Sequence, residues 1–228
     1  MIGDSAKFDT TVKRILARFV MIGAQQFDED EVLAKALKVF WRNGVQATSM
    51  LGLALATGVQ RGSLYNAYGA KEDLFLLAFE PYATGFLEAT RSALSDPDPE
   101  HALQGFFEIA IADMTYGTPP HGCLSTKTAI ECEQTSEAIQ LRLRRFLDDL
   151  EKIVTTALSR DEMRMRLTLA PRDAAQIVVT YVRGLAVMER VYHNPKKLQH
   201  TADALVKSLL RGRRPRRTAP RHQNGATA

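Results

Sequence analysis

The sequence predicts an all-α fold, with short helices before about residue 80 and long ones after it. Three observations carry this. Apolar residues recur at the spacing of a one-sided helix along almost the whole chain. No run alternates apolar and polar residues convincingly, so strand signals are nearly absent. Prolines stand between the periodic segments rather than inside them, Pro81 excepted.

Leu33, Leu37 and Phe40 share one face of a first helix, Asp28 to Asn43, and Val32, Ala36 and Trp41 widen it. Asp28, Glu29, Asp30 and Glu31 are placed in its first turn, where the helix dipole favours acids. Gly44 ends it. Thr48 or Ser49 offers an N-cap for a short helix through Ala56. Gly58 punctuates, and a second short helix runs from about Gln60 to Asn66. Gly69 and Lys71 precede a longer helix, Glu72 to about Leu94, with a bend at Pro81. Beyond the turn Ser95–Glu100 the periodicity places helices at His101–Met114, Leu124–Glu133 and Ser136–Ser159. Pro171 and Pro195 suit the first position of two last helices, ending near His193 and Leu210.

Two short helices joined by a tight glycine turn, Thr57-Gly58-Val59, carry a helix-turn-helix signature. Leu53, Ala54, Val59 and Leu64 can bury against Leu37, Phe40 and Trp41. Gln60, Arg61, Ser63, Tyr65 and Asn66 are left on the outer side of the second short helix, and Gly62 and Ser63 let its backbone lie close to another surface. A helix seated in a major groove needs this division, one side holding it and the other reaching bases and phosphates. Thr48, Tyr65 and Lys71 suit phosphate contacts, and Gln60 and Arg61 suit base edges. Ser49, Gly62, Ser63, Asn66 and Tyr68 complete the expected set facing double-stranded DNA, Tyr68 packing while its hydroxyl reaches outward.

The run FDEDEVLAKALKVFWRNGVQATSM…LALATGVQRGSLYNAYGAKEDLF, Phe27 to Phe75, resembles the DNA-binding domain of the tetracycline-repressor (TetR) family. The matching positions are Phe40, Gly44, Thr48-Ser49, Leu53-Ala54, Gly58-Val59, Gly62, Leu64-Tyr65, Lys71-Glu72 and Leu74. The resemblance implies a homodimeric repressor that binds operator DNA through residues 27–80. It also implies a helical ligand-binding and dimerisation domain, residues 81–210, that answers to an unknown small-molecule effector. Two weaker echoes, GCL…TAIE at Gly122–Glu131 and YVRGLAVMERV at Tyr181–Val191, resemble a small-molecule-responsive branch. Leu51, Gly52 and Leu55 stand where members usually carry polar residues, Gln60 replaces the commoner Ser and Tyr68 the commoner Phe. The operator sequence is therefore left open. Residues 1–80 carry nine basic and nine acidic residues, so DNA affinity must come from how charges face rather than from their sum.

In the larger domain Phe86, Phe106, Phe107, Met114, Cys123, Phe146 and Tyr181 are the candidates to line a cavity between helices, the default ligand site. Ile177, Tyr181, Gly184, Leu185 and Met188, with Leu198, Ala202, Leu205 and Leu209, form two stripes expected to meet the same helices of a second chain in a four-helix bundle.

Cys123 and Cys132 are the only cysteines and do not make a disulfide framework. Buried thiols need no function, although Lys127, one turn from Cys123, would favour a thiolate that senses electrophiles. No Gly-rich phosphate loop, nucleophile elbow or metal-ligand spacing occurs, so neither cofactor nor metal is expected. A helical enzyme is the rival reading, without catalytic residues to carry it, and a regulator without a ligand is another. No apolar run is long enough to span a membrane and no secretory signal opens the chain, so the expected location is cytoplasmic.

The chain has 228 residues and a formal net charge of +4. Six of the 30 Lys and Arg residues lie in a tail, residues 211–228, that holds no acid and reads as disordered. The body before it is near neutral. Residues 1–26 precede the family resemblance. There Val12, Ile15, Leu16 and Phe19 have helical spacing opposite Lys13, Arg14 and Arg18. That segment reads as a minor-groove arm, as a packing helix, or as an extension ahead of a start at Met21.

Overall fold

The computed structural model describes residues 24–211, so most of the N-terminal extension and nearly all of the basic tail lie outside the described residues. Among the described residues ten α-helices follow one another: α1 Ala24–Asn43, α2 Met50–Thr57, α3 Arg61–Tyr68, α4 Lys71–Ala93, α5 Pro99–Thr115, α6 Leu124–Ile130, α7 Glu137–Leu158, α8 Asp161–Arg164, α9 Pro171–Tyr192 and α10 Pro195–Leu209. A 3-10 turn, Cys132–Gln134, lies between α6 and α7.

The caps explain where the short helices stop. Gly44 ends α1 with φ 79°, a conformation that suits glycine. The Ser49 hydroxyl caps α2 by accepting from the Gly52 amide at 3.1 Å. Gly58, at φ 77°, closes α2 by donating to Ala54 O. Asp73 accepts from the Ala70 amide at 2.8 Å and opens α4. The α1 acids are displaced from their expected place. The helix begins at Ala24, so Asp28–Glu31 sit in its second turn, beyond the strongest part of the dipole. Glu31 instead pairs with Lys35, 2.9 Å away and one turn on.

Pro99 opens α5 by the device expected at Pro171 and Pro195, with the Asp98 carboxylate capping Glu100 and His101. Helix α4 runs through Pro81 to Ala93. The single turn α8 was not anticipated, being too short to show a period.

A continuous apolar core joins all of this. At one end Phe40, Val45, Leu53, Leu64, Leu74 and Phe75 are fully buried, with Phe40 and Phe75 edge to face at 5.2 Å. At the other end α5, α7, α9 and α10 close around Phe106, Phe107, Leu150, Val178 and Val206. Helix α4 belongs to both ends, packing on α1 and on α7. Among the described residues no helix is long and apolar enough to cross a membrane.

The expected dimer stripes divide. Leu185, only 4% exposed, and Leu198, Ala202 and Leu209 fill the protomer's own core. Those four are therefore not free to meet a second chain. On α9 the outward apolar row is Ile177, Gly184, Val187, Met188 and Val191, with Met188 49% exposed. Val187 and Val191 extend the row beyond the residues the periodicity singled out, and Tyr181 and Leu205 are half-buried.

Candidate nucleic-acid interface and the core behind it

Helix α3 has one fully buried anchor, Leu64, and a half-buried one, Tyr68. Gln60, Arg61, Gly62, Ser63, Tyr65 and Asn66 are all exposed. The Arg61 guanidinium lies 5.6 Å from the Tyr65 ring centroid, so the two side chains form one polar surface. No heavy atom lies within 4 Å of a Cβ built at Gly62, so the helix backbone there faces open space. Burial pushes the Tyr68 hydroxyl's pKa up, with Glu29 adding to it. Leu51 and Leu55, the latter 78% exposed, stand out on α2 at the positions where members of the family usually carry polar residues.

Two expected phosphate contacts are occupied inside the protein. Thr48 is 3% exposed, and its hydroxyl donates to Gly44 O at 2.6 Å. Its side chain clamps the α1–α2 turn instead of offering an outward donor. The Lys71 ammonium donates to Gln46 O and Thr48 O, each at 3.1 Å, which leaves one proton for another partner.

Behind this surface α6 grips the end of α1. The Trp41 indole donates to Gly122 O at 3.1 Å, and its ring lies 4.0 Å from that of His121. The Lys127 ammonium donates to Trp41 O and to Arg42 O, the free carbonyls at the α1 C-terminus. Glu131 accepts from the amides of Val45, at 2.7 Å, and Gln46, at 3.2 Å. Lys127 is thus committed to α1, which removes the neighbour expected to activate Cys123. That cysteine is buried at the N-cap of α6 with its sulfur 3.3 Å from Ser125 Oγ.

A polar network that sequence reasoning missed threads the core between α4, α5, α6 and α9. The Tyr82 hydroxyl donates to Asp113 Oδ2 at 3.1 Å. The Arg183 guanidinium donates to Ser125 Oγ at 2.7 Å, while its Nε is buried without a partner. Burial pushes the Asp113 carboxyl up to about 7, against the opposing pull of Tyr82 and Arg183. Tyr82, Asp113 and Arg183 all keep partial contact with solvent.

The candidate cavity residues fall into two groups around this network. Phe86 and Phe146, 6.0 Å apart, stand with Tyr82, and Cys123 and Met114 are buried in the same core. Phe106 and Phe107 pack toward Tyr181, whose hydroxyl donates to Thr201 O. The aromatic rings in each group touch one another. Asp113 lies on an α5 face otherwise made of Phe106, Phe107, Ala110 and Met114.

A pH effect follows from Asp113. Its carboxyl keeps its proton when folded up to about 7 but loses it near the ordinary 3.8 when unfolded. Between those values the native state binds more protons, so stability falls as pH rises from about 4 to about 7. Asp113→Asn should flatten that limb in urea midpoints measured at pH 4.5 and 7.5. Equal slopes for both proteins would assign the titration elsewhere.

A tight glycine turn carrying a polar helix outward, on a helical body, defines a helix-turn-helix DNA-binding regulator. Residues 32–78 match the model described as bacterial regulatory proteins, tetR family, and residues 99–205 match the tetracyclin repressor-like C-terminal domain. The chain belongs to the tetR family of bacterial regulatory proteins, and it is a transcriptional regulator rather than an enzyme. It is 25% identical over 187 residues to the HTH-type transcriptional repressor ComR of Escherichia coli (strain K12), covering 79% of this chain and 88% of that one. Among solved structures, the reduced form of E. coli NemR superposes with a TM-score of 0.72 at 16% identity, over 81% of this chain and 97% of that one. A cysteine mutant of the TetR family regulator CifR, complexed with 26bp double-strand operator DNA, gives 0.70 at 22% identity, over 79% and 95%.

Proposed function

We propose that the protein is a homodimeric repressor that reads its operator through α3 and leaves it when a small molecule enters the network behind α6. One observation carries the DNA reading: Leu64 anchors α3 while Gln60, Arg61, Ser63, Tyr65 and Asn66 all face outward. Residues 27–80 form the DNA-binding unit in this reading, and 81–210 hold the effector and the partner subunit. Two-fold symmetry about α9 would present two copies of α3 about one DNA turn apart, roughly 34–36 Å. The family resemblance and the operator complex of CifR support this arrangement.

The effector niche is set by Tyr82, Asp113, Ser125 and Arg183, with Phe86 and Phe146 as apolar walls. An unpartnered guanidinium nitrogen in a protein interior is costly unless something else satisfies it. Because α6 carries Ser125 at one end and the α1 grip at Lys127 and Glu131, movement at the niche reaches the DNA-binding helices through one short helix.

Gel-shift titrations at fixed salt test the DNA reading. Tyr65→Phe should weaken binding on most sequences, with about 1 kcal/mol at stake for one phosphate hydrogen bond. Arg61→Ala should change discrimination among operators by about 1–3 kcal/mol. Unchanged affinity and preference in both variants would defeat the assignment of α3.

A further inference from the structure

A concave site lies at the seam between the DNA-binding helices and the rest. A cleft of about 410 Å³ is lined by Arg42, Pro119, Pro120, His121, Gly122, Lys127, Glu189, Arg190 and His193. Arg42 stands in the last turn of α1 and Arg190 in the last turn of α9. Two helix C-termini therefore bring their cations to one place. Each charge suits its own helix dipole, but neither Arg42 nor Arg190 has an ion-pair partner among the described residues.

Lys127 adds a third cation from the floor of the cleft. Its ammonium pKa is lowered chiefly by burial and then by the charge of Arg190, with Glu131 pulling the other way. The His121 imidazole is lowered too, by burial first, with Lys127 contributing and Gly122 O and Glu189 opposing. The single acid in the cleft, Glu189, is buried, and its Oε1 lies 3.2 Å from His193 Nδ1. Three cations against one acid leave the cleft with a net positive charge before either histidine is counted. Its volume falls within the range of small-ligand sites.

We propose that this cleft binds a compact phosphate-bearing anion, held between Arg42 and Arg190 over Lys127. Two guanidinium forks match the several oxygens of a phosphate or diphosphate group better than they match a single carboxylate. The anion relieves the repulsion between Lys127 and Arg190. It also competes with Trp41 O and Arg42 O for the Lys127 ammonium, the bond that ties α6 to α1. On the operator reading proposed above, the site is a second regulatory input at the contact between α6 and α1.

Binding itself does not rest on the operator reading, and titration of the full chain without DNA tests it. Pyrophosphate, titrated calorimetrically at constant ionic strength, should bind saturably at one site per chain. Arg42→Gln combined with Arg190→Gln, both at exposed positions, should weaken it at least tenfold, and Arg190→Lys should weaken it less than Arg190→Gln. Citrate, as a carboxylate polyanion, should bind more weakly than pyrophosphate. No saturable binding, equal affinity in the double variant, or tighter binding of citrate would overturn the proposal. Failure of the Arg61 and Tyr65 variants to alter operator binding would sink the reading of α3 and leave this result untouched.

Discussion

Val187→Glu combined with Met188→Glu should yield a folded monomer that has lost at least roughly 100-fold in operator affinity, the factor that linking two binding units typically supplies. Both side chains lie on the outward face of α9, in a row with Ile177, Gly184 and Val191. Among the described residues nothing covers this row, so charges placed there remain in water in the monomer and the fold has no reason to suffer. In a bundle with a second copy, the same charges would be buried against their own images, and an unpaired buried charge costs several kcal/mol. Leu185→Arg offers the contrast. Leu185 sits within the core, so an arginine there should unfold the protomer. Light scattering at micromolar concentration, circular dichroism and gel shifts together separate the cases. A native protein that scatters as a monomer, or a double variant that stays dimeric, would show that α9 does not pair the subunits.

That contrast marks where the sequence was legible and where it was not. Helix α9 carries apolar residues on two faces, one for its own core and one for solvent or a partner. Helical periodicity identifies both faces without saying which neighbour each one meets, and this is why Leu185 was grouped with Met188. The DNA-binding half was easier, because its signals are local. Ser49, Gly58 and Leu64 each act on residues within one or two turns, and spacing alone reveals them. Thr48 is the local exception, since a hydroxyl beside a helix start suits an outward contact and an inward clamp equally well.

The grip of α6 on α1 was invisible for the opposite reason. Lys127 and Glu131 reach residues more than eighty positions away, and an (i, i+4) Lys–Glu pair reads as an ordinary solvated face. The Tyr82–Asp113–Arg183 network is likewise spread over three helices, with no spacing that a motif could capture. Chemistry built from distant single residues becomes legible only once the fold has brought them together.

Gly44→Ala should destabilise the protein by about 3 kcal/mol through two separate costs. At φ 79° an alanine pays the left-handed penalty, about 1–2 kcal/mol. A Cβ at this position would also overlap the Glu131 carboxylate, which must then move. Moving it strips the Val45 and Gln46 amides of their acceptor, at roughly 1 kcal/mol for each hydrogen bond. Glu131→Ala alone should show only this second cost. The two substitutions should therefore not add: in the Glu131→Ala background, Gly44→Ala should cost only the backbone term. A double-mutant cycle from urea unfolding measures the difference, expected at about 1–2 kcal/mol for residues in direct contact. Strict additivity would mean that the carboxylate yields to the new methyl without losing its two amides, and a Glu131→Ala variant as stable as the native protein would mean that Glu131 does not hold the end of α1.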